Sequence, residues 1–436
     1  MRPLKSLSFE GLIGYIATEF GKIEEHRAGE VKYELGDCLM SGLAMMYFQH
    51  PSLLKYQEAM KEKQGRSNLE RLFHTSTVPS DTQMREILDK VEIEPVRKMV
   101  KKIFERVRRY GLASNWAMDG QYLVVLDATQ YFSSENIQCP NCLTRKDAKG
   151  KIRYSHQVLP ATIVRPGTHQ ILPLDVEQIC NSDGEDKQDC EVNAAKRLIE
   201  RMRKEHPKLA MILGGDDIYS REPMIKLARE NRCNFIFVAK PSSHKEMFLE
   251  IEALDKLGWI KKGTYQEDNK KKTTTTHYQI VAQVPINGDG KTFVNFFEVW
   301  QEDTKGNQIY HNSWVTDFEV THKNIASLVK KGRARWKIEN QGFNVQKNGG
   351  YELTHNYGHG QYNLSMIFYL LNILAFILHQ ILELTDTLYL QAKKACGGLR
   401  FVWQELRMLF NRVVVADWVT LLNVCFSEQL YFDNSS

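Results

Sequence analysis

Two short apolar runs in this chain each stop at an acidic residue. The run at 122–126 ends on Asp127, and the run at 209–213 passes through Gly214-Gly215 to Asp216 and Asp217. Unbroken apolar stretches of this length predict strands covered on both faces. Around them, 154–164 and 170–179 read as strands separated by a Pro166-Gly167 turn. Helical patterns at 189–205 and 222–231 precede and follow the second apolar run, and 234–239 reads as a further strand. Three strands, helix, strand, helix, strand predicts a mixed α/β sheet.

The pattern differs on either side of this core. Residues 1–118 read as helical, with an apolar helix at 37–48 and a capped helix starting at Ser80 or Asp81. Residues 96–110 form a basic amphipathic helix carrying seven Lys or Arg, whose cations either solvate one face or meet a DNA backbone. Residues 258–320 read as hairpins, with turns at Asn287-Gly288-Asp289-Gly290 and at 303–307. The stretch 364–382 is long and apolar enough to cross a bilayer. Asn372, His379 and Gln380 within it favour a buried core helix. These changes divide the chain into 1–118, 119–257, 258–320, 321–385 and a helical tail at 386–436.

Composition narrows the function classes. The 58 Lys and Arg exceed the 53 Asp and Glu by only five, so a nucleic-acid surface would have to arise from local clustering. Eight irregularly spaced cysteines do not form the framework of a small secreted scaffold and fit a reducing cytoplasm. The amino-terminal residues show no apolar run of signal-peptide type. No GxxxxGK[ST] phosphate loop is present, so ATP-driven chemistry has no support.

The candidate chemistry centres on Arg333-Ala334-Arg335-Trp336-Lys337-Ile338-Glu339-Asn340. On a continuous helix, Arg335, Glu339, Phe343 and Lys347 would share one stripe. Side chains at strand ends in open α/β sheets face the ligand crevice. Gathering Asp127, Asp216 and Glu339 there would give three hard oxygen ligands suited to two Mg²⁺ or Mn²⁺ ions. Arg335 and Lys347 would then neutralise phosphates. Cys139-Pro140-Asn141-Cys142 is half of a zinc site, and His156, Cys180 and Cys190 are of the right type to complete it. Two buried free thiols are the other reading.

These residues also carry a resemblance. Leu126-Asp127-Ala128-Thr129, Gly215-Asp216-Asp217-Ile218-Tyr219 with Pro223, and Arg335-Trp336-Lys337-Ile338-Glu339-Asn340 with Phe343-Asn344 and Lys347-Asn348 resemble the three acid motifs of the DDE-type transposases of bacterial insertion sequences. The group resembled has a β-strand insertion before the catalytic glutamate, and the likeness covers about residues 35–385. Its register selects Asp216 over Asp217. It departs from a widespread form of the third motif, with Gly332 in place of a tyrosine and Lys347 one residue late.

The resemblance implies a ribonuclease-H-like catalytic core, a helical amino-terminal DNA-binding region and cut-and-paste strand transfer. It further implies double-stranded DNA partners (terminal inverted repeats and target), a homodimer in the synaptic complex, and a cytoplasmic, nucleoid-associated protein. An aromatic residue of the insertion, Trp300 or Trp314, would stack on a flipped base. The alternative is a DNA-binding regulator that keeps the fold and has lost catalysis.

Overall fold

Strand β1 (Tyr122–Leu126) is apolar throughout because it feeds two cores at once. Val124 and Leu126 belong to one buried cluster, Leu123 and Val125 to the other. This is the period-two alternation of a strand covered on both faces. The computed structural model describes residues 5–75, 77–181, 189–269 and 272–425; the last eleven residues of the expected helical tail lie outside them.

The other strands are β2 (Thr129–Ser134), β3 (Leu143–Lys146), β4 (Ile152–Val164), β5 (Leu172–Ile179), β6 (Met211–Gly215) and β7 (Asn234–Val238). The insertion adds β8 (Lys261–Asn269), β9 (Lys272–Pro285), β10 (Phe293–Glu302) and β11 (Gln308–Thr316). All belong to one mixed sheet, ordered β2-β4-β1-β6-β7-β11-β10-β9-β8, with β3 and β5 also paired to β4. Strand β4 holds β1 through Ala161–Val164 and continues in the same register onto Thr129 and Gln130 of β2, after which a bulge shifts the pairing. Asp127 and Ala128 therefore sit at a break between two strands laid end to end. Strands β1, β6 and β7 run parallel, while β4 and β5 run antiparallel to their neighbours.

The mixed α/β class expected from the pattern is present, and two details differ. Strands β2, β3 and β8 were not legible, and the strand expected to reach Val320 ends at Thr316. The insertion is an antiparallel meander, as its turns predict. It also prolongs the core sheet, because Trp314, Val315 and Thr316 pair with Val238, Phe237 and Ile236.

The apolar helix Leu364–Thr385 lies inside the protein, with 94% of its most hydrophobic window buried. Its polar groups are engaged there. Asn372 donates to the Tyr351 carbonyl at 2.7 Å, His379 meets the Tyr351 hydroxyl at 2.6 Å, and Gln380 accepts from the Ile171 amide at 3.1 Å. Helices Leu35–Tyr47 and Ile93–Arg109 pack against it. The amino-terminal helices thus share a core with the sheet and with the Leu399–Arg412 helix.

The basic helix Ile93–Arg109 turns several of its cations inward. Arg97 is buried among Glu94, Asp175 and Glu205, Lys102 pairs with Glu19, and Arg106 donates to the Ser6 carbonyl at 2.7 Å. These contacts join the basic helix to Ser6 and Glu19 near the amino terminus, to β5 and to the Glu191–Glu205 helix, and they occupy those cations within the protein.

Candidate active site and metal centre

The two strand-end aspartates are brought level by the parallel pairing of β1 and β6. Val125 is the partner of Gly214, and two residues further on each strand gives way to Asp127 and Asp216. Alternation along β1 places Asp127 on the face of Leu123 and Val125. That face is covered by the Ile325–Arg333 helix and the residues after it. From there Arg335 reaches down: its Nη1 donates to Asp127 Oδ2 at 3.2 Å and to Glu339 Oε1 at 2.8 Å. A span of 208 residues is closed by one guanidinium.

Burial dominates the electrostatics. The Asp127 carboxyl is pushed up to about 7 by desolvation, with Arg335 opposing and Glu339, Glu191 and Asp216 adding to the rise. Asp216 is also raised by burial, although its Oδ1 accepts the Ile218 amide at 3.0 Å. Asp217 differs. Burial raises it, but Ser243 and Lys240 outweigh that and hold it below the usual range. Asp217 is thus held by its own partners, while Asp216 is the member of the pair left without a cation in contact among the described residues.

Glu191 is a fourth carboxylate of this cluster and was missed in the sequence. It opens the Glu191–Glu205 helix, is raised by burial, and accepts the Tyr219 hydroxyl at 2.6 Å. Its only local signal is an acid in a helix first turn, which is commonplace.

The expected continuous helix from Arg335 to Lys347 is interrupted. The Ile325–Arg333 helix ends in a turn at Ala334-Arg335, and Ile338–Phe343 is π-helical before Asn344–Asn348 resumes. Such turns recur at functional sites. The Arg335–Glu339 contact survives, and Lys347 lies 5.9 Å from the centre of the Phe343 ring, its ammonium pKa lowered by burial. Among the described residues Lys347 makes no ion pair with these acids, whereas Arg335 bridges two of them.

The aromatic candidates separate. Trp314 is fully buried and stacked on Phe297 at 5.1 Å, so it presents no face to a base and is corrected to a core residue. Trp300 is partly exposed and stacks on His277 at 5.6 Å. Trp336, beside Arg335, is 58% exposed. The departure at Gly332 has a packing cause: a Cβ there would lie 2.6 Å from Nε1 of the Trp314 indole.

The three acids do not form a compact ligand group. Among the described residues, the group whose donor atoms all lie within 4.8 Å is Cys139, Cys142, His156 and His359, which can hold a metal ion. Cys180 and Cys190, expected as ligands, are not in it. His359 is, and its distance along the chain hid it. No protein-family model matches this chain, and no curated protein matches it.

Proposed function

We propose that this protein is a DDE-type transposase that cleaves DNA at the ends of its element and joins the freed 3′-hydroxyl to target DNA. The observation that carries the reading is the Arg335 guanidinium bridging Asp127 and Glu339 across the chain, with Asp216 level with Asp127 on the paired parallel strand. The strand order β5-β4-β1-β6-β7, with three antiparallel strands followed by two parallel ones, supports a ribonuclease-H-like core. The donor set, all carboxylate, suits two Mg²⁺ or Mn²⁺ ions, which would supply Lewis acidity to the attacking and leaving oxygens. Asp127, Asp216 and Glu339 would hold them, and Glu191 stands beside Asp216 as a further acid. Arg335, displaced from the carboxylates, becomes available to a phosphate of the reacting strand. In this reading Lys347, Trp300 and the exposed Trp336 contact DNA further out.

The partners in this reading are the terminal inverted repeats, target duplex and a second copy of the chain. The test is cleavage of a labelled duplex carrying the repeats that flank the reading frame, with and without Mg²⁺. Metal-dependent nicking that Glu339→Ala abolishes supports the assignment; normal cleavage by that variant overturns it.

The second reading is a DNA-binding regulator without catalysis. The Arg335 salt bridges favour it, because a guanidinium already pairs with two of the acids. Repeat binding without cleavage under any divalent ion would select it.

A further inference from the structure

The Cys139/Cys142/His156/His359 cluster stands apart from the acids and has its own geometry. Cys139 and Cys142 close the turn between β2 and β3, and His156 lies on β4. His359 comes from the connection between the Glu339 segment and the Leu364–Thr385 helix, 217 residues beyond Cys142. The two sulfurs are 3.8 Å apart. His156 Nε2 is 3.5 Å from each sulfur, and His359 Nε2 is 3.4 Å from Cys142 Sγ and 3.0 Å from His156 Nε2.

These separations are the edges of a metal-sized tetrahedron. Sulfurs bonded to a tetrahedral zinc at about 2.3 Å lie about 3.8 Å apart, because a tetrahedron's edge is about 1.6 times its centre-to-corner length. Nitrogens at about 2.0–2.1 Å then lie about 3.5 Å from those sulfurs and about 3.3 Å from each other. The observed edges follow that pattern, the sulfur edges most closely. Two thiolates and two imidazoles select zinc over the hard ions that suit carboxylates.

The outer contacts agree in part. His359 Nδ1 bonds to the Gly360 carbonyl at 2.9 Å. A carbonyl only accepts, so Nδ1 carries the proton and the Nε2 lone pair faces the sulfurs, as in metal-bound imidazoles. His156 Nδ1 has no such partner, and its ring stacks against Tyr131 at 5.8 Å instead. Both cysteines are free thiols.

We propose that Cys139, Cys142, His156 and His359 bind one Zn²⁺ in a closed structural site that ties the connection after the Glu339 segment to strand β4. Four protein donors leave no open position for substrate, which marks the site as structural. The tied connection has no regular helix or strand between Gly349 and Asn363. Its other anchors include the Tyr357 hydroxyl on the His50 carbonyl at 2.9 Å, Asn141 on the Tyr362 carbonyl at 3.1 Å, and Asp89, which accepts backbone amides from Gln361 to Leu364. An ion here fixes where the chain leaves the acid site and enters the long core helix. The proposal does not depend on the transposase reading.

The test is elemental analysis of the full chain, purified without a polyhistidine tag or chelator. One zinc per chain is expected. Replacement by Co²⁺ should give the visible bands of a tetrahedral ion with thiolate-to-cobalt charge transfer. His359→Gln should lower retained zinc at least about tenfold while Cys190→Ser keeps it, since metal affinity falls steeply when the ligand sphere is disturbed. If Cys142→Ser fails to fold, mercurial titration of the wild-type thiols should release the zinc stoichiometrically instead. Folded wild-type protein that takes up no zinc from added Zn²⁺ overturns the site. A His359→Gln variant with full zinc overturns the tie to the connection.

Discussion

The acid cluster and the Cys/His cluster are assembled alike and finished differently. Each takes one side from the strip of β1, β2 and β4 and the other from residues 335–359, across 208 and 217 positions of chain. In the acid cluster a guanidinium stands between two of the carboxylates and Glu339 is 45% exposed, so the cluster is open to solvent on the Glu339 side. In the other, three of the four donors are buried and all four crowd within 4.8 Å. Under the proposed function, the site that would admit DNA is the open one, neutralised by a displaceable cation. A site that only holds the fold together is closed by its own ligands.

The largest effect that would break this contrast is on chemistry. Asp127→Ala, Asp216→Ala or Glu339→Ala should each lower Mg²⁺-dependent cleavage about a thousandfold, several kcal/mol of barrier, in a strand-nicking assay. Repeat binding by gel shift and bound zinc should be unchanged; loss of zinc in these variants would show that the two clusters are one unit. Arg335→Gln comes next. It removes charge-assisted bonds worth about 1.5–3 kcal/mol, so cleavage should fall roughly 10- to 100-fold. Because Arg335 lowers the Asp127 pKa in the metal-free chain, that carboxyl should titrate at higher pH in Arg335→Gln, read by NMR in EDTA.

Gly332→Ala probes the helix that leads into the Arg335 segment. Overpacking against Trp314 should cost about 1–3 kcal/mol in denaturant unfolding, and Trp314→Phe in the same chain should recover part of it. The smallest effect is electrostatic. Folded Asp127 is raised to about 7, above its ordinary value, so the folded chain binds the extra proton between about pH 4 and 7. Its contribution to stability is present below pH 4 and is lost as pH rises through 7. In EDTA, Asp127→Asn should therefore raise the melting temperature at pH 8, by roughly 1 °C for each kcal/mol recovered in a chain of this length, and much less at pH 5. Equal effects at both pH values would refute the raised pKa.

Much of the core was legible because its signals are local. The apolar runs of β1 and β6 need cover on both faces, and each has an acid where it stops. Polar groups in the 364–382 stretch mark a helix whose Asn372 and His379 need protein partners. Strands β2 and β3 were not legible, since Gln130, Ser133 and Arg145 give no clean alternation and the strands exist by pairing to β4. The π-helical turn at 338–343 was hidden for a related reason: helical spacing cannot register one extra residue in a turn. Trp314 read as a candidate base-stacker because its sequence carries no sign of the Phe297 and Gly332 packed against it.

By itself the sequence determined which residues can do chemistry: three acids with a basic neighbour, and a Cys-x-x-Cys pair. It determined the alternation that makes a mixed sheet, because burial preferences act over a few residues. Tertiary structure alone decided the company they keep. It put Glu191 beside Asp216, Arg335 between Asp127 and Glu339, and His359 against Cys142 in place of Cys180 or Cys190. Contacts across some two hundred residues are set by sheet order and by what covers each face, and no local pattern encodes either.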